Sequence, residues 1–330
     1  MQRTLELVLV NHMSYEPKIE DLKSMAKECS VIISTYSEDR LAYVINCIKS
    51  LEQQSLPPKE IILVLDPDQE LFQVYIAKAP KHVKIVTSDN KGLSNARNTG
   101  VRKAEEDILA FIDDDAVADK HWLNRLTENY DDPSVVGVGG VIKPLWEGNR
   151  PAWFPEELYW TIGCSYKGLP ERKASVRNPI GCNMSFRKSA FARAGYFRSD
   201  IGRFGKKLLA GEETELSMRM LTKIPNSRII YDPSAIVYHL VDKKRTNLTY
   251  LFKRSFYEGV SKALIRNSRS NSSVPLLSEN QYLKYLLENS APRKLRRIYN
   301  PKNLCQLLVL LLSVSAVSAG YVTNRYNKGG

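Results

Sequence analysis

Cysteine is scarce, with five residues at Cys29, Cys47, Cys164, Cys182 and Cys305 among 330. None forms a CxxC pair and no histidine is spaced to complete a zinc site, which sets aside a disulfide framework and fits a reducing compartment. A secretory leader is also lacking: in MQRTLELVLVNHMSYEPK a short apolar patch runs into polar and acidic residues, with no small-residue cleavage site. On this reading the main body of the chain stays on the cytoplasmic side. Internal repeats and low-complexity tracts are missing too, which excludes solenoids and fibrous classes.

What is present is an ordinary globular composition, 43% hydrophobic and 25% charged, with an unusual net charge of +12. The charge is unevenly placed. Between Val241 and Lys302, fourteen Lys or Arg stand against four Asp or Glu, so the rest of the chain is nearly neutral. A basic, separable C-terminal region suits a negatively charged surface, either anionic lipid or nucleic acid.

Strands and helices alternate from Cys29 onward. CSVIIST is a β-branched run, and residues 40–54 carry Leu41, Val44, Ile45, Ile48 and Leu51 at helical spacing. PPKEIILVLD holds a continuous apolar run, as expected where both faces of a strand are covered. HVKIVTS predicts a third strand, LSNARNTGVRKA a helix from near Ser94, and DILAFID a fourth strand. This order predicts an α/β fold with a mostly parallel, twisted sheet and right-handed crossovers. Farther along, HWLNRLTENY, FRKSAFARAGYF and EETELSMRMLTK read as helices and VVGVGGVI as a strand, while SRIIYDPSAIVYHL predicts two short strands.

In open parallel sheets ligands bind beyond the carboxyl ends of the strands. That rule gathers Thr35, Tyr36 and Glu38, then Asp66, then Asp113, Asp114 and Asp115 along one rim. Three adjacent carboxylates repel unless a cation sits among them. They read either as a solvated turn capping the next helix or as ligands of a hard divalent cation that also takes substrate phosphates.

The motifs STYSEDR, LVLD, KGLSNARNTG, FIDDDAVAD, NPIGCNMSFRKSAF, GEETELSMR and YHL, in that order over about residues 29–240, resemble the family 2 inverting glycosyltransferases of the GT-A fold. Among them the likeness is to members that extend lipid-linked or cell-surface glycans, archaeal dolichyl-phosphate-linked sugar transferases included. The resemblance implies a GT-A, Rossmann-like domain over residues 28–240, after an N-terminal extension of residues 1–27. It implies a nucleotide-sugar donor contacted by Asp66 at the base, by Lys91 and by Arg97 at the diphosphate, and by Asp113 and Asp114. Asp115, Asp113 and His239 would hold Mn²⁺ or Mg²⁺. The acidic pair in GEETEL supplies a general base, Glu213, with Glu212 as the second candidate; the family usually has aspartate in second place, so this chain is longer there by one methylene. Two N-terminal helix glutamates also fit a purely dipole-stabilising role.

Asn183 and Arg187 are candidate polar handles of an acceptor or sugar pocket, and Trp153, with Trp146 and Trp160, either stacks on sugar or lids the core. From Leu304 to Thr323 the chain carries no charge. As a helix that run reaches about 30 Å, near the thickness of a bilayer's hydrocarbon. With RKLRRIYNPK before it, a basic helical region over residues 241–302 and an apolar tail over 303–330 predict attachment to an anionic membrane. The expected partners are therefore a nucleotide sugar, a lipid-linked or surface glycan and the membrane, not nucleic acid. Two other functions fit less of the sequence. A sugar-nucleotide nucleotidyltransferase would need a Gly-rich loop and a lysine where STYSEDR stands. A membrane-tethered nucleic-acid-binding protein would explain the basic region, where Tyr250, Phe252, Phe256 and Tyr257 interleave with cations, but not the apolar run beside it.

Overall fold

The computed structural model describes residues 27–202, 208–267 and 277–325. The expected extension over residues 1–27, but for Lys27, and the end of the tail lie outside the described residues. In chain order the elements are β1 (Cys29–Thr35), α1 (Leu41–Glu52), β2 (Glu60–Leu65), α2 (Gln69–Lys78), β3 (Lys84–Thr87), α3 (Leu93–Lys103), β4 (Ile108–Asp113), β5 (Ala116–Ala118) and α4 (Trp122–Thr127). There follow β6 (Val135–Trp146), β7 (Ala174–Val176), β8 (Asn183–Arg187), α5 (Lys188–Ala194), α6 (Glu212–Lys223) and β9 (Arg228–Val241). The last elements are α7 (Leu248–Asn267), α8 (Leu277–Tyr285), α9 (Ala291–Leu295) and α10 (Pro301–Arg325).

One sheet runs in the order β3-β2-β1-β4-β8-β6-β9-β5, with β7 also on β9. The first four strands are parallel, as their alternation with helices requires. Beyond β4 the sheet is mixed: β8 is antiparallel to β4 and β6, and β9 runs parallel to β6. Apolar side chains alternate across the strands, so that Val31, Ile33 and Leu63 pack in one buried cluster with Ile48, Leu51 and Trp122. Ile32, Ile62 and Phe111 pack in the other with Phe186 and Phe191. Covering both faces explains why the strands read as unbroken apolar runs.

The two short strands expected from SRIIYDPSAIVYHL are one strand of 14 residues. Pro233 does not break it, because the ladder with β6 slips between Gly140↔Asp232 and Val141↔Ile236 and the proline sits in that irregularity, where no ladder N–H is needed. β9 therefore crosses the whole sheet, from Arg228 beside Ser134 to His239 opposite Ala116.

Candidate active site

Register puts the polar residues on one rim. Ser34 of β1 lies opposite Asp113 of β4, and Thr35 lies opposite Leu65, so Asp66 and the acidic turn flank the end of β1. Asp66 Oδ1 accepts from the Gly92 N–H at 3.1 Å. Burial pushes the Asp66 carboxyl above its usual value, although that N–H and nearby Lys91 act the other way. Gly92 caps α3 with φ 110°, a left-handed conformation that a side chain would strain. Lys91 is exposed beside it.

The cation among the three aspartates is, first of all, Arg40. Its guanidinium forks onto the Asp114 carboxylate and reaches Asp115 Oδ2 at 2.8 Å. Asp114, expected to contact the donor, is 4% exposed, and its carboxylate is taken up as the counter-ion that fixes Arg40. Asp115 has further partners, His239 Nε2 at 3.3 Å and Arg245 at 3.9 Å. Burial would raise its carboxyl, but His239, Arg40 and Arg245 together hold it below the usual carboxylate range. For His239 burial opposes charge, and Asp115 nevertheless carries the imidazole up to about 10, with Cys164 behind its Nδ1 at 3.9 Å.

Asp113 opens the other way. Arg97, 3% exposed, contacts Asp113 Oδ1 at 3.4 Å, Glu212 Oε1 at 2.9 Å and the Gly181 carbonyl at 3.1 Å. One guanidinium thus ties the acidic turn at the end of β4 to the start of α6. Among the described residues Glu212 Oε2 is buried without a hydrogen-bond partner. Next along α6 is Glu213, half-buried; burial first, and then the neighbouring Glu212 charge, push its carboxyl up to about 8.

The ligand atoms of Asp113, Cys182 and His239 all lie within 4.8 Å of one another. Burial and the nearby aspartates push the Cys182 thiol well above its usual value, which keeps it protonated. The group is thus Asp113, Cys182 and His239, with Asp115 Oδ1 3.3 Å from His239 Nε2; its carboxylate oxygens suit a hard divalent ion such as Mn²⁺ or Mg²⁺, which His239 can join only as the neutral imidazole.

The remaining candidates fall elsewhere. Tyr36 is 64% exposed at the rim with Arg40 against its ring at 5.3 Å, and Thr35 is buried beneath it. Glu38 faces outward, 3.9 Å from Lys78. Asn183 is fully buried and spent: it accepts from Trp122 Nε1 at 2.8 Å and donates to the Val141 and Ala235 carbonyls. Arg187 pairs with Ile108 at the start of β4, the end opposite Asp113, and binds the carbonyls of Tyr130, Asp132 and Val135. Neither is free to serve as the polar handle expected of it. Trp153 packs on Phe154 at 5.2 Å, in a loop whose Ala152 carbonyl accepts from Gln306 of α10.

Sequence reasoning missed Arg40 and Arg245. The signal for Arg40 was the repulsion of the DDD run itself, which demands a nearby cation; no local spacing points to it 74 residues away.

Residues 30–195, half of the chain, match the family described as Glycosyl transferase family 2. The chain belongs to that family. Over 300 residues this glycosyltransferase is 32% identical to the glucosyl-dolichyl phosphate glucuronosyltransferase of Haloferax volcanii, covering 89% of this chain and 95% of that protein. It is 27% identical to the succinoglycan biosynthesis protein ExoM of Rhizobium meliloti over 236 residues, 69% of this chain and 71% of that protein. Its fold is similar to a mannosyltransferase from Pyrobaculum calidifontis, solved with GDP-Man and Mn²⁺, at a TM-score of 0.58 and 15% identity over 91% of this chain and 88% of the other. GalNAc-T7, solved with UDP, GalNAc and Mn²⁺, follows at 0.51 and 17% over 80% and 56%. The α/β sheet with flanking helices is the GT-A fold.

Proposed function

We propose that this glycosyltransferase moves a sugar, with inversion, from a nucleoside diphosphate donor, UDP-linked in the first instance, to a lipid-phosphate-linked glycan at an anionic membrane. The observation that carries it is the grouping of Asp113, Cys182 and His239, with Asp115 against His239, beside Arg97, whose guanidinium also holds Glu212, the neighbour of Glu213. Support for the acceptor comes from the Haloferax relative, whose name specifies a glucosyl-dolichyl phosphate. Support for donor and metal comes from the neighbours solved with a nucleotide or nucleotide sugar and Mn²⁺.

In this reading Asp66 accepts from the base and Lys91 and Arg97 stand toward the diphosphate. Asp113, Asp115 and His239 would hold the divalent ion, which when bound would neutralise charge on the departing diphosphate. Glu213 accepts the proton of the acceptor hydroxyl as that oxygen attacks the anomeric carbon. The bond to the diphosphate oxygen breaks on the opposite face, and the nucleoside diphosphate leaves with the electron pair. A carboxyl raised by burial and by Glu212 is a stronger base than a free glutamate, which suits proton abstraction near neutral pH. Arg97 positions Glu212 and Asp113 together and so couples the base to the leaving-group side.

Purified protein given Mn²⁺ or Mg²⁺, a panel of nucleotide sugars and a polyprenyl-phosphate-linked sugar should transfer one sugar with inverted anomeric configuration. Absence of transfer and of donor hydrolysis with every donor, together with no metal-dependent UDP binding, overturns the proposal.

A further inference from the structure

The apolar tail is described along its whole helix, and its attachments bear on how it meets a membrane. α10 holds a stretch, 301–324, long and apolar enough by length and composition to cross a bilayer, its most apolar window having a mean hydropathy of 1.9, yet only 28% of that window is buried. Leu304, Leu308, Leu311 and Leu312 are each about half exposed and draw one apolar stripe along the first half of the helix, and the same face continues through exposed Ser315, Ser318 and Ala319 to Val322. Gln306, Leu307, Val309, Leu310, Ser313 and Gly320 form the opposite, buried stripe.

We propose that α10 lies in the plane of an anionic bilayer, on the leaflet that faces the catalytic site, and does not cross it. This rests on the membrane reading above. Three observations argue for it. First, both ends of the helix are tied to the same body: Gln306 Nε2 donates to the Ala152 carbonyl at 2.8 Å, and Arg266 of α7 donates to the Tyr321 hydroxyl. Those two points are 15 residues apart, about 22 Å of helix, so the body follows α10 for most of its length.

Second, α7 cannot be left behind. A Cβ on Gly259 would fall 1.9 Å from the Val317 carbonyl oxygen, and one on Gly320 would fall 2.0 Å from that of Phe256, so the two backbones are in contact at their crossing. If α10 spanned, it would draw into hydrocarbon a helix carrying Lys253, Arg254, Glu258, Lys262 and Arg266. Arg254 and Lys262 are paired to Glu258 at 2.9 and 3.2 Å in a network that also reaches Glu279. Charged side chains at membrane depth are costly, and five on one helix oppose insertion strongly. Third, cations rim both ends of the apolar stripe. Arg293, Arg296, Arg297 and Lys302 are exposed before and at the start of α10, and Arg266 is exposed near its far end. Exposed leucines between basic ends match the headgroups and acyl boundary of one leaflet.

The test uses the full chain with an epitope tag after Gly330, in sealed inside-out vesicles from expressing cells and with added liposomes rich in phosphatidylglycerol. Protease applied from the catalytic side should remove the tag together with the catalytic domain. A tag that stays protected until detergent is added means a span, which overturns the in-plane placement while leaving membrane attachment intact. Failure to sediment with anionic liposomes overturns attachment and the placement with it. The double variant Leu308→Glu, Leu311→Glu should bind liposomes at least tenfold less while retaining UDP binding; unchanged liposome binding with the same UDP affinity would overturn the role of the stripe.

Discussion

Two arginines at opposite ends of the sheet, Arg97 and Arg187, are both largely buried, and they use their charge differently. Arg187 binds three backbone carbonyls, of Tyr130, Asp132 and Val135. Its donors end in groups that carry no net charge and cannot be displaced without opening the turn after α4. Arg97 binds one carbonyl and two carboxylates, Asp113 and Glu212, which come from elements 99 residues apart in sequence. Its neighbours carry more negative charge than it cancels, and that surplus is what a cationic or proton-accepting site requires. The lesson is that burial and charge do not separate these two arginines. The identity of the partners does.

Four experiments sharpen or break this contrast. Glu213→Gln should cost about 10²–10⁴-fold in kcat, with UDP affinity retained, if the α6 side of Arg97 supplies the base; full activity moves the base elsewhere. At the acidic turn, Arg40→Met leaves Asp114 buried and unpaired and should lower unfolding stability by about 3–5 kcal/mol, read by chemical denaturation. A loss below about 1 kcal/mol would show that Asp114 is satisfied without it. At the far end, Arg187→Ala strands three carbonyls and should cost about 1–3 kcal/mol, with kcat and KM of the folded fraction unchanged. A changed KM for acceptor would restore Arg187 to the pocket. The smallest effect is in the pH profile. Glu213 works as the anion, so with its carboxyl up at about 8 activity should climb as pH rises through that value. Glu212→Gln removes the like charge and should move the rising limb to lower pH; a limb that stays in place, or moves up, refutes the coupling.

The parallel half of the fold was legible because local pattern and tertiary outcome agree there: residues 29–113 alternate strand and helix, and each strand ends in, or is followed at once by, a polar residue at the rim. Asp66, Asp113, Asp115, His239 and the Glu212–Glu213 pair were visible as candidates at or near strand or helix ends, and Arg97 as one a turn into α3. Where partners decide, the sequence was mute. Nothing around Asn183 says that Trp122 and two carbonyls will consume its amide, and nothing in FRKSAF says that antiparallel pairing of β8 carries Arg187 away from the rim. Pro233 looks like a strand break because the rule against proline concerns a regular ladder, and only the partner strand reveals the slip that accommodates it. Likewise the tail reads as uniformly apolar, and its two stripes appear only once α7 is packed against one of them.

β9 is the last strand of the sheet to leave the ribosome, yet it lies inside the sheet, between β6 and β5. Until it arrives, β5 has no ladder partner among the described residues, and the acidic turn just before it is held at one end only. Domains generally fold as units. The acidic turn is therefore complete only when β9 places His239 opposite Ala116, a few residues before the basic helices follow.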